Sequence, residues 1–336
     1  MFDYNQISSE LVKNLPDRTK DVISRRFGLN GPNNSSNFVS SGKIRRESLE
    51  SIGNDYQITR ERVRQIEFDG MTKIKNNTKK YNKVYKKFRE KIEDFGGVKK
   101  EDLYLSSLGQ EKWVNHIFFL LNLDDTFFRF SETKDFHSFW AIDPSHISYA
   151  KEVVGSIHNV LDEKNEPLKI SHCATISPLS DKPLNSYLEI SKHIHQNDEG
   201  FFGLKNWPEV NPKGIKDRAY LVLKKEGTPL HFAKVAMAIN KSALPQTVHN
   251  ELIKDERFVL VGRGIYALKE WGYQPGEVKE VITRILQKSK NPLSREEIIQ
   301  KVSEQRIVKE NTILQNLSNR KYFSRNLDGH YIIKES

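Results

Sequence analysis

A chain that repeats itself can only be built as a string of similar units, and this one does so over most of its length. Apolar residues at helical spacing occur as Val153, Ile157, Val160 and Leu161, as Ile215, Ala219, Val222 and Leu223, and as Val278, Ile282, Ile285 and Leu286. Seven residues after the third member of each set comes a Pro-Leu pair, at 167–168, 229–230 and 292–293, a period of 62 or 63 residues. Each unit continues with more helical pattern. It closes on a ribbon signal: Phe201 and Phe202 with Trp207, residues 258–260 with 266–268, and Phe323 with residues 331–333. Residues 81–143 follow the plan more loosely, opening on Val84, Phe88 and Ile92 and closing on residues 127–130 and 139–142. Three helices and a β-ribbon per period is a winged-helix plan, so four units in a row are expected.

The first 80 residues are organised differently. A short helix is expected over residues 8–13, and Pro16 is placed to precede another from Asp17. Val22, Ile23 and Phe27 give that second helix its apolar face, and Gly28 ends it. Residues 30–42, rich in Asn, Ser and Gly, read as a loop. A further helix starts near Ser48 with Leu49 and Ile52 inward, and Gly53 opens a short turn. Thr59 then caps a helix with Glu61 in its first turn, where a carboxylate suits the dipole. Val63, Ile66 and Ile74 form its apolar stripe, leaving Arg60, Glu61, Arg64 and Gln65 on another face. Arg pairs bidentately with guanine, Glu accepts from cytosine and Gln pairs with adenine, so this face is stocked for reading a major groove. A solvated, salt-bridged helix face is the plainer alternative. Helix, short turn and reader helix together make a helix-turn-helix.

The charge balance points the same way. The 336 residues carry 54 Lys+Arg against 44 Asp+Glu, a formal net charge of +10, and the excess is concentrated: 12 basic and 4 acidic residues lie between Arg60 and Lys91. In that stretch Lys73, Lys79 and Lys80 accompany an apolar stripe of Tyr81, Val84, Tyr85, Phe88 and Ile92. The stripe can pack while the lysines track phosphates, or the lysines can simply be solvated. Cys173 is the one cysteine, which excludes a disulfide framework and a cysteine zinc site within one chain. No signal-peptide core or membrane-length apolar run occurs, so a soluble, cytoplasmic protein with no membrane partner is expected. Gly262-Arg263-Gly264 reads as a hairpin turn, Asp124-Asp125 as a turn, and His193 and His195 do not share a helical face. No catalytic residue, metal site or cofactor is expected.

The run Leu49-Glu50-Ser51-Ile52-Gly53, five residues, then Thr59-Arg60-Glu61-Arg62-Val63-Arg64-Gln65-Ile66-Glu67 resembles the fourth region of primary bacterial sigma factors. Arg25-Arg26-Phe27-Gly28-Leu29 upstream belongs to the same resemblance, which spans roughly residues 10–78. It implies binding to an upstream promoter element, with Arg60, Glu61 and Gln65 on bases and Arg62 and Arg64 near backbone or groove edge. It also implies contact with the flap of the RNA polymerase β subunit through the second helix, with Val22, Ile23 and Phe27 shared between core and flap. Two departures stand out. The connection over residues 30–42 is longer than usual, and no room precedes residue 10 for the aromatic region that melts promoters, so a complete sigma factor is not expected. In the third repeat, residues 219–223, then Thr228-Pro229-Leu230-His231-Phe232, then residues 258–266 resemble the HARE-type helix-turn-helix. That family occurs in the delta subunit of some bacterial RNA polymerases, in chromatin proteins and beside restriction enzymes.

The expected fold is therefore mainly α: a helix-turn-helix bundle over residues 1–80, then winged-helix units over 81–143, 144–210, 211–272 and 273–336. The expected function is a transcription factor that recognises promoter-like double-stranded DNA with RNA polymerase core. A polymerase-docking regulator that reads no sequence, and the DNA-recognition part of a restriction or defence system, are the alternatives.

Overall fold

A computed structural model describes residues 2–29, 46–240, 242–289 and 291–334. The loop expected over residues 30–42 lies outside the described residues. The chain divides into two compact units, residues 1–205 and 206–336.

The first unit opens with α1 (Tyr4–Val12), earlier than residues 8–13 because Asp3 caps it, accepting from the Gln6 amide at 3.0 Å. Then come α2 (Asp17–Phe27), α3 (Leu49–Asp55), α4 (Arg60–Lys75) and α5 (Asn82–Asp94). Gly28 ends α2 at φ +62, the left-handed conformation that a glycine C-cap adopts without strain. The chain continues through β1 (Val98–Lys100), α6 (Glu101–Leu108), α7 (Val114–Leu121), β2 (Phe128–Phe130) and β3 (Phe139–Ala141). The same order of elements returns as α8 (His146–Lys164), β4 (Leu168–Lys169), α9 (Ile170–Ala174), α10 (Asp181–Glu189), β5 (Ile194–Gln196) and β6 (Phe201–Leu204). Each set closes an antiparallel three-stranded sheet, β1-β3-β2 and β4-β6-β5. The ribbon expected from Phe201 towards Trp207 is thus displaced: Phe201 begins the returning strand, and its hairpin partner is residues 194–196.

One core runs through the boundary expected at residue 80. Tyr4, Leu11, Ile23, Phe27 and Ile74 pack in the same buried cluster as Val84, Phe88, Tyr104, Phe118, Phe119 and Trp140. Phe27 meets Phe119 edge-on at 5.2 Å, and the Tyr4 hydroxyl donates to the Leu108 carbonyl at 3.1 Å. The helix-turn-helix and the first repeat therefore share their hydrophobic interior. The second repeat is joined to the first by backbone bonds, His137 amide to Ile190 carbonyl at 2.8 Å and Lys192 amide to Asp135 carbonyl at 2.9 Å.

The second unit holds α11 (Gly214–Glu226), β7 (Leu230–His231), α12 (Phe232–Ile239), α13 (Pro245–Lys254), β8 (Phe258–Gly262) and β9 (Ile265–Leu268). It ends with α14 (Val278–Lys288), α15 (Arg295–Ser303), α16 (Glu310–Leu317), β10 (Phe323–Arg325) and β11 (Tyr331–Ile333). The third sheet is ordered β7-β9-β8, and β10 pairs with β11. These two sets interlock. Ile307 forms a parallel bridge with Gly262, its amide donating to the Val261 carbonyl at 2.7 Å. The buried Arg306 beside it donates to the carbonyls of Gln305, Gln274 and Gly276 at 2.6–2.7 Å, which supplies partners for a charge removed from water.

The Pro-Leu pairs prove to be structural. Leu168, Leu230 and Leu293 each lie opposite an aromatic residue of the last strand: Phe202, Tyr266 and Tyr331. Each proline follows the end of the preceding helix by three or four residues, and the leucine behind it starts the third strand or bridge. The fold is mainly helical with small antiparallel sheets, compatible with a helix-turn-helix followed by winged-helix elements. No helix among the described residues is long and apolar enough to cross a membrane.

Cys173 is fully buried on α9, and that burial pushes its thiol up to about 11. The nucleophile is the thiolate, whose population at neutral pH is then about a hundredfold below that of an ordinary cysteine. The native chain should react with a thiol-specific disulfide reagent at least about tenfold more slowly than the chain in denaturant. Equal rates would show that the second repeat is open in solution.

Candidate nucleic-acid interface

The turn between α3 and α4 is set by local chemistry. The Ser48 hydroxyl accepts from the Ser51 amide at 3.0 Å and starts α3; Thr59 does the same for α4, accepting from the Arg62 amide at 3.2 Å. Between them Gln57 takes φ +52, and the Ile58 amide donates to the Gly53 carbonyl at 2.9 Å. The chain passes so close that a Cβ at Gly53 would lie 2.7 Å from the Ile58 carbonyl oxygen. Val22, Ile52 and Val63 fill the space beneath, with Leu49, Tyr56, Ile58 and Ile66 around them.

Further along, α4 crosses α2 at Gly70, where a Cβ would meet Ile23 Cδ1 at 2.5 Å and Thr19 Cγ2 at 2.6 Å. Polar braces hold the crossing. Arg26 Nε donates to Glu67 at 3.0 Å, with both side chains largely covered. Arg25 grips Glu47 through Nε and Nη2 and also meets Asp55, while Asp21 accepts from the Tyr56 hydroxyl at 2.9 Å. The Arg25 guanidinium holds the Glu47 carboxyl below its ordinary range, so this brace persists at neutral pH and is lost only as pH falls far enough to protonate it. These roles for Arg25, Arg26 and Gly70 were not expected. The adjacent arginines stood in the motif, but their acidic partners lie 22 and 41 residues away.

With its inner face fixed, α4 exposes Arg60, Glu61, Arg62, Arg64 and Gln65 together at its N-terminal end. Glu61 and Arg64 pair at 2.7 Å, each side chain 58% exposed, and the guanidinium holds the Glu61 carboxyl below its ordinary range. Arg62 donates to Gln65 at 3.1 Å. Arg60 makes no hydrogen bond or ion pair among the described residues. Exposed pairs of this kind are screened by solvent and contribute little, so exchanging them for contacts to a partner costs little. The salt-bridged face and the face expected to read bases are thus the same surface. Phe68, two turns beyond Arg60, is 66% exposed on α4 and had not been singled out.

The basic connection is less uniform than its sequence. Val84, Tyr85, Phe88 and Ile92 are buried as the stripe required. Lys73 and Lys79 are exposed, but Lys80 lies 3.4 Å from Glu10, which also accepts from the Tyr81 hydroxyl at 2.6 Å. Asp124 makes the expected turn, accepting from the Thr126 amide at 2.9 Å.

Val22, Ile23 and Phe27 present no open face to a partner: the first two are fully buried and Phe27 is 3% exposed. Phe27 is covered by α7, where Phe118 and Phe119 pack on it and Asn115 donates to the Gly28 carbonyl at 3.1 Å, while Val22 packs with Ile52 and Val63. Sequence periodicity marks an apolar face without saying whether the same chain covers it.

Residues 11–76 match the family model described as Sigma-70, region 4. The match holds all of α2, α3 and α4 and ends one residue past α4. This segment is therefore similar to sigma region 4, and its α3, turn and α4 form a helix-turn-helix.

Proposed function

We propose that this chain is a DNA-binding transcription factor that acts with bacterial-type RNA polymerase at initiation, reading a promoter-like element through α4. The observation that carries this is the joint exposure of Arg60, Glu61, Arg62, Arg64 and Gln65 on a helix whose opposite face is pinned, inside the sigma region 4 match. Lys73 and Lys79 extend the surface towards flanking phosphates, and Lys80 joins them after releasing Glu10. The remaining repeats form a tandem of winged-helix domains that contact neighbouring DNA or polymerase. The HARE-type resemblance of the third repeat supports association with transcription. Contact with the polymerase β flap, if it is made while the core stays closed, uses residues other than Val22, Ile23 and Phe27. The role needs no cofactor and no catalytic step, and it places the protein in the cytoplasm.

Arg60→Ala is expected to weaken binding to the cognate duplex roughly tenfold to a hundredfold and to relax preference at one base pair. Lys79→Ala should weaken all duplexes alike and reduce the slope of log affinity against log salt by about one. Fluorescence anisotropy with a selected and a scrambled duplex separates the two. An Arg60→Ala protein that discriminates as well as the wild type would sink the base-reading assignment.

A further inference from the structure

The C-terminal repeat contains a concave basic site, far along the chain from α4. A cavity of about 640 Å³ opens between the end of α16 and the β10–β11 ribbon. Its floor is apolar, made by Leu314, Leu317, Phe323 and Tyr331, of which the last three are buried. Its walls carry four cationic side chains, Arg295, Arg320, Arg325 and Lys334, and no carboxylate is among the lining residues.

The four cations differ in how far they are already satisfied. Arg295 lies 3.3 Å from Glu310 at the rim, with both side chains about half exposed. Arg325 donates to the Tyr331 hydroxyl and lies over that ring, 4.7 Å from its centroid, a neutral partner that leaves its charge uncompensated. Arg320 and Lys334 make no ion pair among the described residues. Like charges converging on one hollow repel, and the hollow is at its lowest energy when an anion bridges them. The cavity has the volume of an ordinary small-ligand site. The rings of Phe323 and Tyr331 are 3% and 6% exposed, so no aromatic face is offered for stacking, and recognition must be by charge and hydrogen bonding. Guanidinium groups suit phosphate oxygens in this role, because their fork of donors matches the oxygens two at a time.

We infer that the cavity between α16 and the β10–β11 ribbon is a phosphate-binding site, occupied by the phosphates of a compact polyphosphate or of a nucleic-acid backbone. It does not depend on α4, so it stands or falls separately from the reading of Arg60.

The test titrates the full chain with sodium tripolyphosphate and with a duplex of random sequence, by calorimetry, at two salt concentrations. Saturable, salt-sensitive binding of tripolyphosphate is expected, weakened at least roughly tenfold for each cation removed in Arg320→Ala and Lys334→Ala and unchanged in Arg60→Ala. Both wall residues are exposed, and far-UV circular dichroism checks that the variants stay folded. A duplex that competes with tripolyphosphate in the Arg60→Ala background assigns the site to backbone phosphate. A duplex that leaves tripolyphosphate binding intact assigns it to a small polyphosphate. Absence of tripolyphosphate binding, or binding that ignores Arg320→Ala together with Lys334→Ala, overturns the inference.

Discussion

Phe118→Ala is expected to cost about 3–5 kcal/mol, the range for truncating a fully buried phenylalanine. Phe118 is 0% exposed and touches Phe27 from the helix-turn-helix and Trp140 from the first sheet, with Arg46 and Arg129 over its ring at 5.1 and 5.4 Å. The loss should therefore appear on both sides of residue 80 at once. Denaturant unfolding followed by tryptophan fluorescence and by backbone amide exchange in α2 and α4 should move together. A chain cut after Lys80 extends the argument: Ile23, Phe27 and Ile74 would face water, and the fragment should lack a cooperative transition. A stable, cooperatively melting fragment of residues 1–80 would refute the shared core.

The second large effect concerns one methyl group placed at two glycines. Gly53→Ala sets a Cβ 2.7 Å from the Ile58 carbonyl oxygen, a backbone atom that cannot rotate away. Overpacking of this kind costs about 1–3 kcal/mol. Here the strain is relieved by opening the angle between α3 and α4, so affinity for the cognate duplex should fall along with stability. Gly155→Ala makes the same chemical change in the middle of α8, where nothing lies within 4 Å of the new Cβ. It should stabilise by about 0.5–1 kcal/mol, because alanine loses less backbone entropy in a helix. Thermal melts of the two variants should thus shift in opposite directions. If Gly53→Ala melted like the wild type and bound DNA equally well, the turn would be looser than its close contact requires.

What sequence alone revealed divides along the range of the interactions. Thr59 and Gly28 were readable as caps, and Ser48 as a helix start, because a cap is chemistry between residues three to five apart. The stripe of Val84, Tyr85, Phe88 and Ile92 was readable because burial leaves a helical period. The repeat was visible through its Pro-Leu pairs, yet the strand that they begin was missed. Two residues are too short for an alternating pattern, and only pairing with Phe202, Tyr266 or Tyr331 makes them a strand. The covering of Phe27 by α7, the Arg26–Glu67 brace and the Gly70 crossing join distant positions and leave no local trace. At the candidate interface the identities of the exposed residues were legible. Their mutual pairing, Glu61 with Arg64 and Arg62 with Gln65, was not.

The hydroxyl of Tyr4, bonded to the carbonyl of Leu108, also sets an order of events during synthesis. During synthesis α1 finds its partners only after α5, α6 and α7 have followed it, and Trp140 closes the same cluster later still. Until then the nascent chain holds α4, capped by Thr59, above an interior that is still open to solvent. Contacts this far apart in sequence slow folding, and they leave Ile23, Phe27 and Ile74 uncovered while translation proceeds. The helix α1 is thus made well before the residues that bury it.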